Sequence, residues 1–223
     1  MDIKLFFEAI LKFLFGVVLI HLLIFIPANT IKYWNGWLLI GLLFIPMLFV
    51  IIAMLIKSPD LLKKRLVSKE KENLQKSVVA QTALMFFIGF IIAGLDYRFN
   101  WSQLPNIIIL IASIIFLLSY ILYAEVLREN IFLSRTIVVQ EDQKVIDTGL
   151  YGIVRHPMYL STIFLFLSMP LILGSFISFI IFLLYPFIIV RRIKNEEKVL
   201  EKELKGYSEY KNKVKYKMIP FIW

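Results

Sequence analysis

The sequence predicts an all-α, polytopic transmembrane helical bundle. Of its 223 residues, 60% are hydrophobic and only 18% are charged, whereas soluble domains are about half apolar and about a quarter charged. Several uncharged stretches approach or exceed the ~20 residues that a helix needs to cross the hydrocarbon. One of them is too long for a single crossing. These observations together predict four spans followed by a C-terminal helical hairpin.

The four single spans are predicted at residues 5–27, 36–56, 78–95 and 104–124. The second and fourth contain no charged residue. The third is also uncharged, although it is slightly short. The first carries a glutamate and a lysine near its start, where a long lysine side chain reaches the interface. We therefore expect all four segments to cross the membrane.

The hairpin is predicted from the 34 uncharged residues 157–190. As one helix this stretch would be about 51 Å long, against a hydrocarbon core of about 30 Å. Pro170 and Gly174 lie near its middle and favour a break. We expect two helices, roughly 158–172 and 176–190. Because both arms are short, a full crossing and a partly re-entrant hairpin are both open.

The basic residues predict that both termini are cytoplasmic. In that orientation only Lys32 and Arg98 of the 25 lysines and arginines lie outside, as the positive-inside tendency requires. The net charge of +9 is then explained by contact with anionic lipid rather than nucleic acid. Aromatic residues expected at the outer interface are Tyr33, Trp34, Trp37, Tyr97 and Trp101.

The residue composition also excludes several kinds of functional site. The chain has no cysteine, which excludes disulfides and thiolate catalysis. Its two histidines, His21 and His156, are far apart and show no metal-ligand spacing, so no metal is expected. A transporter or non-catalytic scaffold is the alternative class. A transporter would be expected to carry ionisable residues near the membrane midplane, where only His21 is a candidate.

Two polar clusters flank the hairpin. Residues 148–159 (TGLYGIVRHPMY) place Arg155 and His156 where a helix enters the membrane, a position suited to holding a polar ligand. The alternative is that Arg155 anchors to lipid phosphate and His156 only caps the helix. Residues 191–204 follow the hairpin, which would return them to the same membrane face. The alternative is that residues 191–204 are only a solvated extension of the membrane helix.

The basic, aromatic tail after Gly206 has two possible placements. Such a tail most often lies on the membrane surface. The alternative is that the tail folds back over the site as a lid.

At these residues the sequence resembles the isoprenylcysteine carboxyl methyltransferases and their membrane relatives, including phospholipid N-methyltransferases. The resemblance covers about residues 125–223 and includes a T-G-x-Y turn, R-H-P-x-Y, an E-E pair, G-Y-x-x-Y and I-P-F-I. It divides the chain into N-terminal transmembrane helices (1–126) and a methyltransferase core (127–223). The motif residues are Thr148–Tyr151, Arg155–Tyr159, Glu196–Glu197, Gly206–Tyr210 and Ile219–Ile222.

The resemblance implies that S-adenosyl-L-methionine binds in a pocket at the cytoplasmic face and that Arg192 meets the substrate. The acceptor is expected to be lipophilic and to enter from the bilayer. A carboxylate acceptor needs no general base and is therefore favoured, whereas an amine or a thiol, which must first lose a proton, is the alternative. The cofactor-binding residues implied are Gln140, Gln143, Lys144, Val145, Ile146, Tyr151, His156, Pro157, Met158, Tyr159 and Glu196.

Overall fold

A computed structural model describes residues 3–66 and 73–223, and its regular structure there is entirely helical. Five segments are long and apolar enough to cross a membrane: α1, α2, α4 from Leu74, α5, and the stretch Phe176–Glu203. The predicted multi-pass helical bundle is therefore confirmed. The helices are α1 Ile3–Ala28, α2 Trp34–Lys57, α3 Pro59–Leu66, α4 Asn73–Phe99, α5 Asn106–Glu129, α6 Pro157–Ile172, α7 Phe176–Phe182, α8 Leu184–Glu203 and α9 Tyr207–Lys213.

The hairpin is present, but its second arm differs from the prediction. The first arm, α6, ends at Ile172 as expected, whereas the second is divided into α7 and α8 at Leu183. Pro186 explains the division, because proline has no N–H to donate to the carbonyl of Phe182 and its ring crowds that carbonyl. The second arm also does not end near 190, since α8 continues to Glu203. The charged run after 190 is thus an extension of the membrane helix.

The tip of the hairpin lies at the opposite end of the bundle from its charged ends. There the buried Tyr33 hydroxyl, from the connection between α1 and α2, donates to the carbonyl oxygen of Leu173. At the same end the hydroxyl of Ser175 donates to the carboxylate of Asp96, near the end of α4. The tip of the hairpin therefore reaches the end of the bundle at which α1 and α4 end, as expected for a full crossing.

One apolar core joins the two predicted parts of the chain. It runs without a gap from α1, α2 and α4 to α5, α6, α7 and α8. Phe90, Phe116 and Phe182 are among its fully buried side chains. At Gly89 the helices pack so closely that an added Cβ would lie only 2.3 Å from the ring of Phe182. The membrane helices and the candidate site are thus packed as one body.

The polar segments gather at the other end of the bundle. There Leu5, Leu55, Leu61 and Leu127 form a second apolar cluster that joins α1, α2, α3 and α5. The connection 130–156 and the tail after α9 pack at this same end. The start of α1 and the C-terminal tail therefore lie on one side of the bundle, and the prediction that this side is cytoplasmic remains a prediction.

Candidate active site

A tight turn fixes the start of the site to the end of α5. The carboxylate of Glu129 accepts the backbone N–H of Leu150, with its two oxygens at 2.9 and 3.1 Å. Gly149 adopts φ +52°, and an added Cβ would lie 1.7 Å from Glu129 Oε1. Only glycine fits there. The short 3₁₀ turn Gly149–Gly152 that follows places the buried Tyr151 beside the site.

Replacing Gly149 with alanine is expected to lower thermal stability in detergent. The left-handed backbone alone costs an alanine about 1–2 kcal/mol, and the overlap with Glu129 adds to that cost. The thermal midpoint of Gly149→Ala should fall clearly below that of the unmodified chain. Gly41→Ala is the control, since its Cβ would meet no atom nearer than 4.0 Å. Equal midpoints for the two variants would contradict this account of the turn.

Glu197 is the centre of a buried charge cluster at the start of α6. Its Oε1 accepts from Arg155 Nε at 2.8 Å and lies 3.4 Å from His156 Nε2. Its Oε2 pairs with Lys217 Nζ at 2.9 Å. The side chains of Arg155, His156 and Glu197 are all almost completely buried. One carboxylate therefore joins the R-H-P motif, α8 and the tail.

The tail packs against the motif through its backbone. The N–H groups of Arg155 and His156 donate to the carbonyl oxygens of Tyr216 and Lys217 at 3.0 and 2.7 Å. The Arg155 guanidinium also donates to the carbonyl oxygen of Val214 at 2.6 Å. Arg155 is therefore buried in protein, and the alternative that it anchors to lipid phosphate is wrong. This part of the tail supports the site instead of lying apart on a membrane surface.

A second network of hydrogen bonds is centred on the hydroxyl of Tyr159. Its hydroxyl donates to Glu196 Oε2 at 2.6 Å and accepts from Arg192 Nε at 2.9 Å. Another guanidinium nitrogen of Arg192 donates to the carbonyl oxygen of Arg135 at 2.7 Å. Arg192 and Glu196 are four residues apart on α8, which places them on one face of the helix. The phenol lies between the two charges and holds both in place.

These groups line an open polar cleft with a cavity volume of about 100 Å³. His156 and Glu196, which the sequence assigned to one site, both line it. Gln140 does not, because its side-chain amide donates to the carbonyl oxygen of Phe132 at 2.5 Å and braces the loop. Pro157 also lies outside the lining. The other predicted residues that line the cleft are Gln143, Lys144, Val145, Ile146, Tyr151, Met158, Tyr159 and Arg192.

Sequence reasoning assigned no site role to several residues that line the cleft. Tyr207 and Tyr210 lie in the G-Y-x-x-Y motif, whereas the loop after α5 contains no motif of the family. The Tyr210 hydroxyl donates to the carbonyl oxygen of Tyr151 at 2.7 Å. Burial raises the pKa of Tyr151, Tyr207 and Tyr210 well above that of a free phenol. These three phenols therefore stay neutral at physiological pH. Arg155, which the sequence placed beside His156 at a position suited to a polar ligand, also lines the cleft. The other unassigned lining residues are Asn130, Phe132, Leu133, Ser134, Thr136, Ile137, Val138, Leu200 and Leu204.

A second, largely apolar cavity of about 340 Å³ adjoins the cleft. Its walls come mainly from the membrane helices α4, α6 and α8, and include Val79, Phe86, Phe166 and Ile189. Four residues form the boundary between the two cavities, which we call the neck. The residues that line both are Ser134, Met158, Tyr159 and Arg192.

The chain is thus an integral, multi-pass membrane protein with a polar cleft at one end of its bundle and an apolar cavity between its helices beside the cleft. Residues 107–202 match the sequence model of the isoprenylcysteine carboxyl methyltransferase (ICMT) family. This match, which runs from α5 into α8, confirms the resemblance noted in the motifs. It supports a membrane methyltransferase.

A shorter similarity links the chain to a mouse protein. Over 91 residues it is 29% identical to a Delta(14)-sterol reductase of Mus musculus. The aligned part is 40% of this chain and 22% of the reductase. The chain therefore matches only about a fifth of that relative's length.

Proposed function

We propose that this protein is an integral membrane methyltransferase that uses S-adenosyl-L-methionine to methylate a lipophilic carboxylate. The observation that carries the proposal is the neck at which the polar cleft and the apolar cavity meet. Arg192 and Tyr159 line both sides of it. A polar donor in one cavity and a lipophilic acceptor in the other would face each other there. Such placement is the main requirement of a two-substrate group transfer.

The residues of the cleft fit S-adenosylmethionine. The Glu196 carboxylate suits the positive charges of a sulfonium and an ammonium. The aliphatic side chains of Val145 and Ile146 suit an adenine ring. The hydroxyl of Tyr207 is buried without a hydrogen-bond partner in the described structure, and an unpaired buried polar group is costly. A ligand rich in polar groups would supply that partner.

The chemistry then depends on alignment. Bound S-adenosylmethionine supplies a methyl group on a positively charged sulfur. Arg192 orients the acceptor carboxylate bidentately, and the hydrogen bond from Arg192 to Tyr159 keeps the guanidinium in place. The sulfur of the cofactor would be the leaving group, while Arg192 would hold the acceptor oxygen in line with the carbon–sulfur bond. No proton moves, which agrees with neutral tyrosines around the cleft.

Amine and thiol acceptors are the alternatives within the same enzyme class. Either would have to lose a proton, for which His156 and Glu196 are the bases that line the cleft. The product separates the three cases. Mild base releases methanol from a methyl ester but leaves a methylamine or a thioether intact.

Calorimetry in detergent tests cofactor binding. We expect S-adenosylmethionine and S-adenosylhomocysteine to bind saturably. Glu196→Ala should weaken this binding about tenfold, as the loss of a charge-assisted contact implies. Glu8→Ala is the control, because Glu8 pairs with Lys12 on α1. The absence of saturable binding to the unmodified chain would remove the methyltransferase proposal.

The similarity to the mouse sterol reductase supplies a second candidate, a membrane reductase. A reductase needs a reductant such as a reduced nicotinamide dinucleotide. The same calorimetry with that dinucleotide in place of S-adenosylmethionine distinguishes the two. A radiolabelled methyl-transfer assay against total membrane lipids and a prenylated cysteine then identifies the acceptor class.

A further inference from the structure

The apolar cavity has a strongly cationic end. Three arginines line it, Arg65, Arg135 and Arg192, whereas no aspartate or glutamate is among the described residues of its lining. Glu196 lies beyond Tyr159 and lines the polar cleft instead. Like charges that share a low-dielectric space repel one another. An anion bound at this end would offset that repulsion.

Arg65 reaches this place from α3, which lies outside the segment matched to the methyltransferase family. Its guanidinium donates to the hydroxyl of Tyr123 and lies 5.6 Å from the centre of that ring. Another of its nitrogens lies 3.9 Å from the sulfur of Met158. These contacts hold the side chain, and neither partner carries a negative charge. Since a guanidinium has five N–H donors, Arg65 retains donors for a ligand.

The position of Arg65 relates it to the reaction. Met158, which it contacts, lines the neck at which the two cavities meet. Arg192 lines the same neck, so guanidiniums from α3 and α8 both border the cavity's charged end. A lipophilic molecule with an anionic end would place its chain among the apolar walls and its charge between these arginines. A cationic amine in the same position would be repelled.

We propose that Arg65 binds the anionic end of the lipophilic acceptor and thereby selects anionic over neutral or cationic amphiphiles. This inference rests on the proposed function and assigns a specificity residue to it. The chemistry shared by possible ligands is a carboxylate or phosphate on a long apolar chain. Arg192 holds the anionic group of the acceptor in position to react, and Arg65 binds the same group from the side of α3.

Calorimetry on the whole chain in detergent tests the proposal with three probes: an N-acetyl-S-farnesyl-cysteine with a free carboxylate, its carboxamide, and a long-chain alkyl phosphate. Arg65→Gln should weaken binding of the carboxylate about tenfold, as expected for a lost charge-assisted hydrogen bond. Binding of the carboxamide should change less than about twofold under the same principle. Arg65→Lys, which keeps the charge, should retain the preference for the carboxylate. Lys63→Gln removes a charge from the exposed face of the same helix and should leave all three affinities unchanged.

The outcomes separate the roles of Arg65. Equal weakening of carboxylate and carboxamide binding by Arg65→Gln would show that Arg65 only joins α3 to the bundle, and would overturn the proposal. Unchanged carboxylate and phosphate binding would also overturn it. Loss of phosphate binding alone would support an anion site that takes a phosphate. Binding of S-adenosylhomocysteine is measured separately, so a failure of the methyltransferase proposal is distinguishable from a failure of the anion site.

Discussion

Glu197→Ala is expected to produce one of the largest losses of stability of any single substitution in this chain. The change removes the carboxylate that Arg155, His156 and Lys217 share. Removing one partner of a buried ion pair typically costs about 3–5 kcal/mol, because the other charge is left buried and unpaired. The thermal midpoint in detergent should fall by several degrees. Since Arg155 also binds the tail, the tail should become more accessible to protease.

Glu201→Ala is the matched control for Glu197→Ala. It lies one helical turn further along α8 and pairs with Lys211 at the surface. Exposed pairs contribute about 0–1 kcal/mol, so the midpoint of this variant should change little. If Glu197→Ala were as stable as Glu201→Ala, the buried cluster would not hold the tail against the motif. A Glu197→Asp variant that is more stable than Glu197→Ala would show that the carboxylate is the group that stabilises the cluster.

The sequence predicted the membrane helices well because their signal is local. Apolar length alone determines whether a segment spans the membrane, and α2 and α5 begin within two residues of the predicted starts. The end of α6 was also predicted, since Pro170 and Gly174 mark a break near the middle of the uncharged stretch. The division of α7 from α8 was missed because Pro186 lies within a few residues of the charged run.

The site was harder to predict because its geometry depends on contacts between distant segments. The E-E pair was recognised, but nothing local shows that Glu196 faces the cleft while Glu197 faces the buried cations. That assignment depends on the helical phase of α8 and on where the tail passes. Arg65 carries no local signal either, because its role requires α3 to fold against Tyr123 and Met158. Residue type and spacing thus indicated the chemistry, and only the tertiary contacts assigned the individual roles.

Arg192→Ala is expected to abolish most methyl transfer while leaving the cofactor in place. Under the proposed function, Arg192 orients the acceptor at the neck between the two cavities. Removing one preorganised polar group from a reacting centre commonly costs about 10²–10³-fold in kcat, and we expect a loss of that size. Binding of S-adenosylhomocysteine should change less than about threefold, because Glu196 rather than Arg192 is assigned to the donor. The measurements are a radiolabelled transfer assay and calorimetry on the same preparations.

Arg191→Ala makes this test specific, because it removes the same side chain from the adjacent position. Arg191 is exposed and donates to Gln81 Oε1 at 3.2 Å on the outside of the bundle. Its loss should leave transfer within about twofold of the unmodified chain, as is usual for an exposed polar contact. Equal losses in the two variants would mean that positive charge near the membrane, rather than a guanidinium at the neck, supports the reaction. Loss of cofactor binding in Arg192→Ala would instead assign Arg192 to the donor side. A selective loss of transfer is the result that only an acceptor-orienting arginine produces.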